Sequence, residues 1–277
     1  MSGRLKNRPD IIMGKPFVKI LMIGDIIGEP GRNILARKLS HLVETYEIDF
    51  VIANGENSAG GFGITPKIAE ELFLLGIDVI TTGNHVWDKK EIVDYIAQQP
   101  RLLRPANYPD STPGAGSAVI GLSRTEKVAV LQLMGRVFMP TLDCPFRIGQ
   151  REIARLRAET PIVIVDMHAE ATSEKRAMGW YLDGEVSAVV GTHTHVQTAD
   201  EEILPKGTAY LTDAGMTGPT HSVIGMNKDQ VIYRFLHQMP QRFEMGGGPC
   251  VISAALLTID ANGRAQSIVR LQVKDTE

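Results

Sequence analysis

"FVKILMIGDIIGEPGRNILARKLSHLVETYEIDFVIAN" (residues 17–54) decides the fold. Phe17 to Ile23 is an apolar run, broken by Lys19 and closed by Gly24 and Asp25, and it reads as a strand. Ile34, Leu35, Leu39, Leu42 and Val43 then recur at helical spacing across residues 30–46. A second apolar run, "DFVIAN" (49–54), follows. Strand, helix and strand in succession predict two parallel strands joined by a crossover helix.

The alternation continues outward. "TPKIAEELFLLG" (65–76) opens on threonine and proline and stops on glycine, which predicts a helix. "DVITTGN" (78–84) predicts a third strand and "DKKEIVDYIAQQ" (88–99) another helix. After a loop rich in proline and glycine (100–116), "SAVIGL" and "KVAVLQLMG" lie close enough for a hairpin. A helix at "IGQREIARLRAE" (148–159) precedes strands at "PIVIVDMHAE", "VSAVVGTHTH" and "TAYLTDAG". The end of the chain predicts a helix at Asp229–Gln238, then a hairpin of "CVISAALLTID" and "RAQSIVRLQV" turning at Asn262-Gly263. No repeat or linker composition divides residues 17–277, so a single domain is expected. Residues 1–16 are expected to be a loose extension.

Bulk properties exclude several classes. With 277 residues, 43% hydrophobic and 22% charged, the chain is neither disordered nor fibrous. A net charge of −3 gives no reason to expect a surface that coats extended nucleic acid. Cys144 and Cys250 are too few for a disulfide framework. No apolar run reaches the length of a membrane span or a secretory h-region, so no membrane contact is expected and the cytoplasm is the expected location.

Most predicted strands end on chemistry-bearing residues. The first gives Asp25, the second Glu56 and Asn57, the third Asn84 and His85, and the later ones His168, then His193 and His195. In a parallel α/β sheet the carboxyl ends of strands share one edge, where ligands bind. Each residue alone is commonplace as a turn, a cap or a satisfied histidine. Their coincidence is not, since four of the seven histidines follow apolar strands on that edge. In an extended backbone His193 and His195 would point the same way. Imidazole, carboxylate and amide oxygen without thiolate suit manganese, iron or zinc. Asp25, Glu56, Asn57, Asn84, His168, His193 and His195 are too many ligands for one catalytic metal and fit two, with a carboxylate between them. Paired metals serve in-line displacement at phosphorus.

This order of motifs resembles the calcineurin-like metallophosphoesterase superfamily. The wording "NGENSAGGFGIT", "TTGNHVWDKKE", "LLRPANYP", "HAEATSEK", "VSAVVGTHTHVQTADE" and "AGMTGP" is similar to the narrower YmdB-like family of bacterial phosphodiesterases. The resemblance implies an α/β fold, a four-layer α/β/β/α sandwich of two mixed sheets flanked by helices. It implies two divalent metals, iron or manganese. Asp25 and His195 would hold one, Asn84, His168 and His193 the other, and Glu56 would bridge them. His85 would protonate the leaving oxygen. The superfamily's usual Asp-x-His is Asp25-Ile26-Ile27 here, and Asn57 offers a carbonyl oxygen as replacement. Val86 follows His85 where many relatives carry an acid that orients the ring. Asp166 and Glu170 flank His168 as orienters or as caps, and "TDAGMTGP" (212–219) is a candidate pocket wall.

The implied activity is metal-dependent hydrolysis of a small cyclic nucleotide, 2′,3′- or 3′,5′-cyclic AMP in type, by metal-hydroxide attack at phosphorus. A homo-oligomer is expected on the same grounds. A phosphomonoesterase is the nearest alternative, and a regulatory protein that binds metal and nucleotide with little turnover is the alternative of another class. The late position of His-x-His argues against an amidohydrolase-type barrel.

Overall fold

Alternate residues of the first strand serve different layers, and that division builds the molecule. The protein is described by a computed structural model covering residues 15–123 and 126–275. Most of the extension expected at the start of the chain lies outside the described residues. Lys15, near its end, donates to Asp49 Oδ1 at 3.0 Å.

The elements run β1 (Phe17–Ile23), β2 (Asp25–Ile26), α1 (Gly28–Thr45), β3 (Phe50–Asn54), α2 (Pro66–Leu74), β4 (Val79–Thr81) and α3 (Ile92–Ile96). The middle of the chain gives β5 (Ser117–Gly121), β6 (Lys127–Met134), α4 (Pro145–Arg157), β7 (Val163–His168), α5 (Thr172–Tyr181) and β8 (Ala188–Thr192). The rest is β9 (Glu202–Ile203), β10 (Ala209–Leu211), β11 (Met216–Met226), α6 (Lys228–His237), β12 (Met245–Asp260) and β13 (Ala265–Lys274).

One sheet has seven strands, ordered β2-β11-β12-β1-β3-β4 with β13 beside β12; the other has six, ordered β5-β6-β7-β8-β10-β9. β1 runs parallel to β3 but antiparallel to β12, so the first sheet is mixed. Leu21 and Ile23 of β1, with Val51 and Ala53 of β3, pack on Ile34, Leu35 and Leu39 of α1 and Leu72 of α2. Ile20, Met22, Phe50 and Ile52 point the other way, onto Ile164, Val190 and Leu211 of the second sheet. Val163, Val165 and Val189 turn outward from that sheet onto Ile153 and Leu156 of α4 and Met178 of α5. These three apolar interfaces make the expected four layers, helices, sheet, sheet, helices. Among the described residues no helix is long and apolar enough to cross a membrane.

Local signals account for several boundaries. Thr65 Oγ1 accepts the Ile68 N–H at 3.2 Å, capping α2 with Pro66 in its first turn. The late hairpin turns at Asn262-Gly263, as expected, with Gly263 at φ +81° and its N–H on Asp260 O.

Some expectations fail for physical reasons. The helix expected over 88–99 shrinks to Ile92–Ile96, because residues 84–91 are wound into turns that tie Asp88 to His85. The sequence gives no apolar stripe for α5, whose buried face includes Glu174 and Lys175. The expected extension of the β8 strand through His195 is wrong. It ends at Thr192, and His193 and His195 take φ +98° and +67°.

Candidate metal and phosphate site

The carboxyl ends of β1, β3, β4, β7 and β8 meet where the edges of the two sheets face each other. Parallel pairing of β7 with β8 sets His168 beside Thr192. Across the sheets, His168 Nε2 lies 3.0 Å from Glu56 Oε1 and 3.1 Å from Asn84 Oδ1. His193 Nδ1 comes to 3.1 Å of the same nitrogen. Ligand atoms of Glu56, His168 and His193 all lie within 4.8 Å of one another. Gly83 permits this approach: a Cβ there would sit 2.2 Å from the His168 ring and 2.6 Å from Glu56 Oε2.

The tautomers of the three imidazoles follow from their outer partners. Thr192 Oγ1 donates to Asp166 Oδ1 at 2.7 Å and stands 2.9 Å from His168 Nδ1, so that nitrogen donates to it. Glu170 Oε2 lies 3.2 Å from His193 Nε2 and accepts its proton. The Ile224 carbonyl, 2.9 Å from His195 Nδ1, only accepts. Each ring therefore carries its first proton on the outward nitrogen, leaving the inward nitrogen to take a second proton or a cation, as an oriented metal ligand does. Asp166, through Thr192, and Glu170 directly are thus orienters.

Asp25, Glu56 and His168 are fully buried. Burial pushes the Asp25 carboxyl up. It opposes ionisation of Glu56 too, but the charge and hydrogen bond of His168 outweigh it and hold that carboxyl down to about 2. His168 is correspondingly raised to about 9 against its own burial, chiefly by Glu56. Burial, then the positive His168, depresses His193 to about 3. Burial raises Asp166 to about 7. A cluster that draws a proton into its centre in this way is one that calls for positive charge.

Two observations show that divalent cations fit. A single N–H on His168 Nε2 cannot satisfy Glu56, Asn84 and His193 together, whereas a cation between them can. Asp25 Oδ1 is buried with no hydrogen-bond partner, 3.7 Å from His195 Nε2. Asn57 borders Asp25 and His195, but its Nδ2 faces His195 Nε2 at 3.1 Å and Glu56 Oε1 at 3.4 Å. Ligation through its carbonyl requires the amide turned end for end, a change of orientation in a group of nearly symmetric shape.

The turn carrying His193 and His195 is held from behind. Asp213 Oδ2 accepts from Thr194 N at 3.1 Å, Thr194 Oγ1 at 2.8 Å and the buried Lys175 Nζ at 2.6 Å. Asp25 Oδ2 takes the His193 N–H at 3.1 Å.

His85 stands beside the cluster with its N–H on Glu56 Oε2 at 3.1 Å. The orienting acid that Val86 fails to supply comes from Asp88, whose Oδ2 lies 2.8 Å from His85 Nδ1. Phe62 sets its ring edge-on to His85, 5.1 Å between centroids, from a loop that glycines at positive φ bend into place.

All of this opens into a cavity of about 620 Å³, bordered by Glu56, Asn57, His85, His193 and His195. Residues 212–219, a candidate wall from sequence, do not line it; the wall comes from Val223–Met226, α6 and Phe243. Sequence reading missed this side because its residues carry no ligand chemistry.

Residues 21–271 match the family model described as YmdB-like protein. The chain is 49% identical over 259 residues to the 2′,3′-cyclic-nucleotide 2′-phosphodiesterase of Bacillus subtilis (strain 168), covering 93% of this chain and 98% of that protein. A hypothetical protein from Thermus thermophilus superposes with a TM-score of 0.87 at 41% identity, covering 94% of this chain and 100% of that one. A structure described as a novel phosphatase, from Mycoplasma pneumoniae, gives a TM-score of 0.87 at 35% identity, covering 93% and 94%.

Proposed function

The chain belongs to the YmdB-like family, and from that premise we propose that it hydrolyses nucleoside 2′,3′-cyclic phosphates at the 2′ oxygen. It is a phosphoric diester hydrolase. The observation that carries the reading is the cluster of Glu56, His168 and His193, with His195 beside it, at a cavity that Glu56, His193, His195 and His85 line.

Asn84, His168, His193 and Glu56 would hold one divalent cation; Asp25, His195 and Asn57, with Glu56 between, would hold the second. Iron or manganese suits this donor set. When bound, such a pair neutralises phosphate charge and makes water a stronger nucleophile.

The chain's own groups do the rest. Glu56, ionised and fixed by the His85 N–H, keeps negative charge at the centre of the cluster. In the reaction, a water oxygen bonds to phosphorus and the bond from phosphorus to the 2′ oxygen breaks, its electron pair staying on that oxygen. His85 gives it a proton, and the attacking water's proton restores the ring. Asp88 sets the ring angle and balances its charge while it holds the proton. The product is the nucleoside 3′-phosphate.

Hydrolysis of 2′,3′-cyclic AMP, 3′,5′-cyclic AMP, bis-p-nitrophenyl phosphate and p-nitrophenyl phosphate, with added Mn²⁺ or Fe²⁺ and with chelator, tests this. Chelator-sensitive release of adenosine 3′-phosphate from the 2′,3′-cyclic substrate is the expected result. Preference for p-nitrophenyl phosphate would make the protein a phosphomonoesterase.

A further inference from the structure

The candidate ligands line one part of the cavity, and the apolar wall beside them is built for something else. In that wall β11 and α6 present Val223, Ile224, Met226, Val231, Arg234 and Phe235, and Phe243 joins them. Ile224 and Phe235 are 49% and 73% exposed, apolar surface left bare beside a polar centre. A phosphate and its sugar oxygens need none of this, and a cavity of about 620 Å³ exceeds what they would fill.

Arg234 stands out because its guanidinium carbon lies over the Phe243 ring, 5.3 Å from the centroid. Among the described residues lining the cavity it is the sole lysine or arginine, and no carboxylate pairs with it. A guanidinium beside an aromatic ring and without a carboxylate partner keeps a flat face and an N–H edge to offer. That combination stacks a flat heterocycle and donates to an acceptor on its edge. Purines carry such an acceptor at N7, together with a larger stacking face; the corresponding pyrimidine edge has no ring nitrogen acceptor.

We propose that the wall of β11, α6 and Phe243 is a nucleobase subsite, with Arg234 as its specificity-determining residue, selecting purine over pyrimidine. This rests on the reading of the protein as a cyclic-nucleotide phosphodiesterase and names which part of the nucleotide it grips. The wall is also joined to the cluster, because the Ile224 carbonyl that orients His195 belongs to it. Ile224 takes φ +47°, a costly conformation for a β-branched residue, to aim that carbonyl.

The test compares kcat/KM for the 2′,3′-cyclic phosphates of adenosine, guanosine, cytidine and uridine in the metal-loaded wild type and in Arg234→Ala, Arg234→Lys and Phe243→Leu. The wild type is expected to favour purines, and Arg234→Ala to cut the purine-to-pyrimidine ratio roughly tenfold, mainly through KM. Arg234→Lys keeps the charge and loses the plane, so the ratio should fall with it as well. Phe243→Leu should act in the same direction. An unchanged ratio in Arg234→Ala, or a ratio fully retained in Arg234→Lys, overturns the proposal. Calorimetric binding of adenosine against cytidine 3′-phosphate by the same proteins reads the subsite without turnover. Purine-selective binding lost in Arg234→Ala, with no hydrolysis of any cyclic nucleotide, would sink the enzymatic reading and keep the subsite. Hydrolysis of all four with no base preference would do the reverse.

Discussion

Asp213→Asn should weaken both the fold and the metal site, and Thr194→Val should weaken the metal site with a smaller loss of stability. Asp213 and Lys175 are both fully buried and 2.6 Å apart. Three donors share Asp213 Oδ2: Lys175 Nζ, Thr194 N and Thr194 Oγ1. The amide removes the charge opposite the buried ammonium, and because Oδ1 accepts from Gly215 N at 2.8 Å its NH2 meets a donor whichever way it turns, a loss of about 3–5 kcal/mol. The turn itself carries strain, since His193 and His195 sit at φ +98° and +67°. Such positions cost about 1–3 kcal/mol each, roughly 2–6 together. The two bonds from Thr194 to a carboxylate return about 1.5–3 kcal/mol each, a sum of the same size. The anchor and the strain are therefore nearly balanced, and removing one bond lets the turn relax. Thr194→Val removes only the hydroxyl bond, so it should cost about 1.5–3 kcal/mol in urea denaturation. Mn²⁺ affinity, read by calorimetry, should fall about 10–100-fold, the usual effect of losing an outer partner. Lys175→Met leaves Asp213 bonded to Thr194 and to Gly215 N at 2.8 Å, so it should cost less than Asp213→Asn. Wild-type Mn²⁺ affinity in Thr194→Val would refute the balance, and so would Lys175→Met proving the costlier change.

His85→Ala should lower kcat on 2′,3′-cyclic AMP by about 10²–10⁴ and affect bis-p-nitrophenyl phosphate far less, because p-nitrophenolate leaves without a proton; equal losses would remove the acid role. Asp88→Asn should show the same asymmetry at about tenfold, measured on the same two substrates. Chelation should abolish activity and lower Tm by roughly 5–10 °C where each site had been held at about a hundred times its Kd, reversed by Mn²⁺ in a thermal scan. Gly83→Ala should push His168 aside, costing about 1–3 kcal/mol and the metal content read by elemental analysis. Gly247→Ala meets nothing within 4 Å and should be neutral to about 0.5 kcal/mol.

What the sequence discloses and what it hides divide along a physical line. Strands and their terminal residues are legible because they depend on short-range periodicity: Asp25, Glu56, Asn84 and His168 each close or follow an apolar run, and the parallel pairing carries those ends to one edge. The arrangement of His193 and His195 is not legible in this way. An extended reading points both rings one way, yet the strand stops at Thr192 because Asp25, 168 residues earlier, takes the His193 N–H. Asp213 then captures Thr194 from another strand end. Asp88 escapes a search for an acid next to His85, since only a turn brings a residue three places on to the ring. The Ile224 carbonyl has no signature at all, because every residue carries a carbonyl and only the fold decides which one is aimed. The identity of the candidate ligands is thus written locally, at the ends of strands, while ring tautomer and aim are decided by acceptors from elsewhere in the chain. The same reasoning explains the cavity wall. Its apolar residues on β11 and α6 resemble ordinary core until the fold leaves Ile224 and Phe235 uncovered beside the cluster.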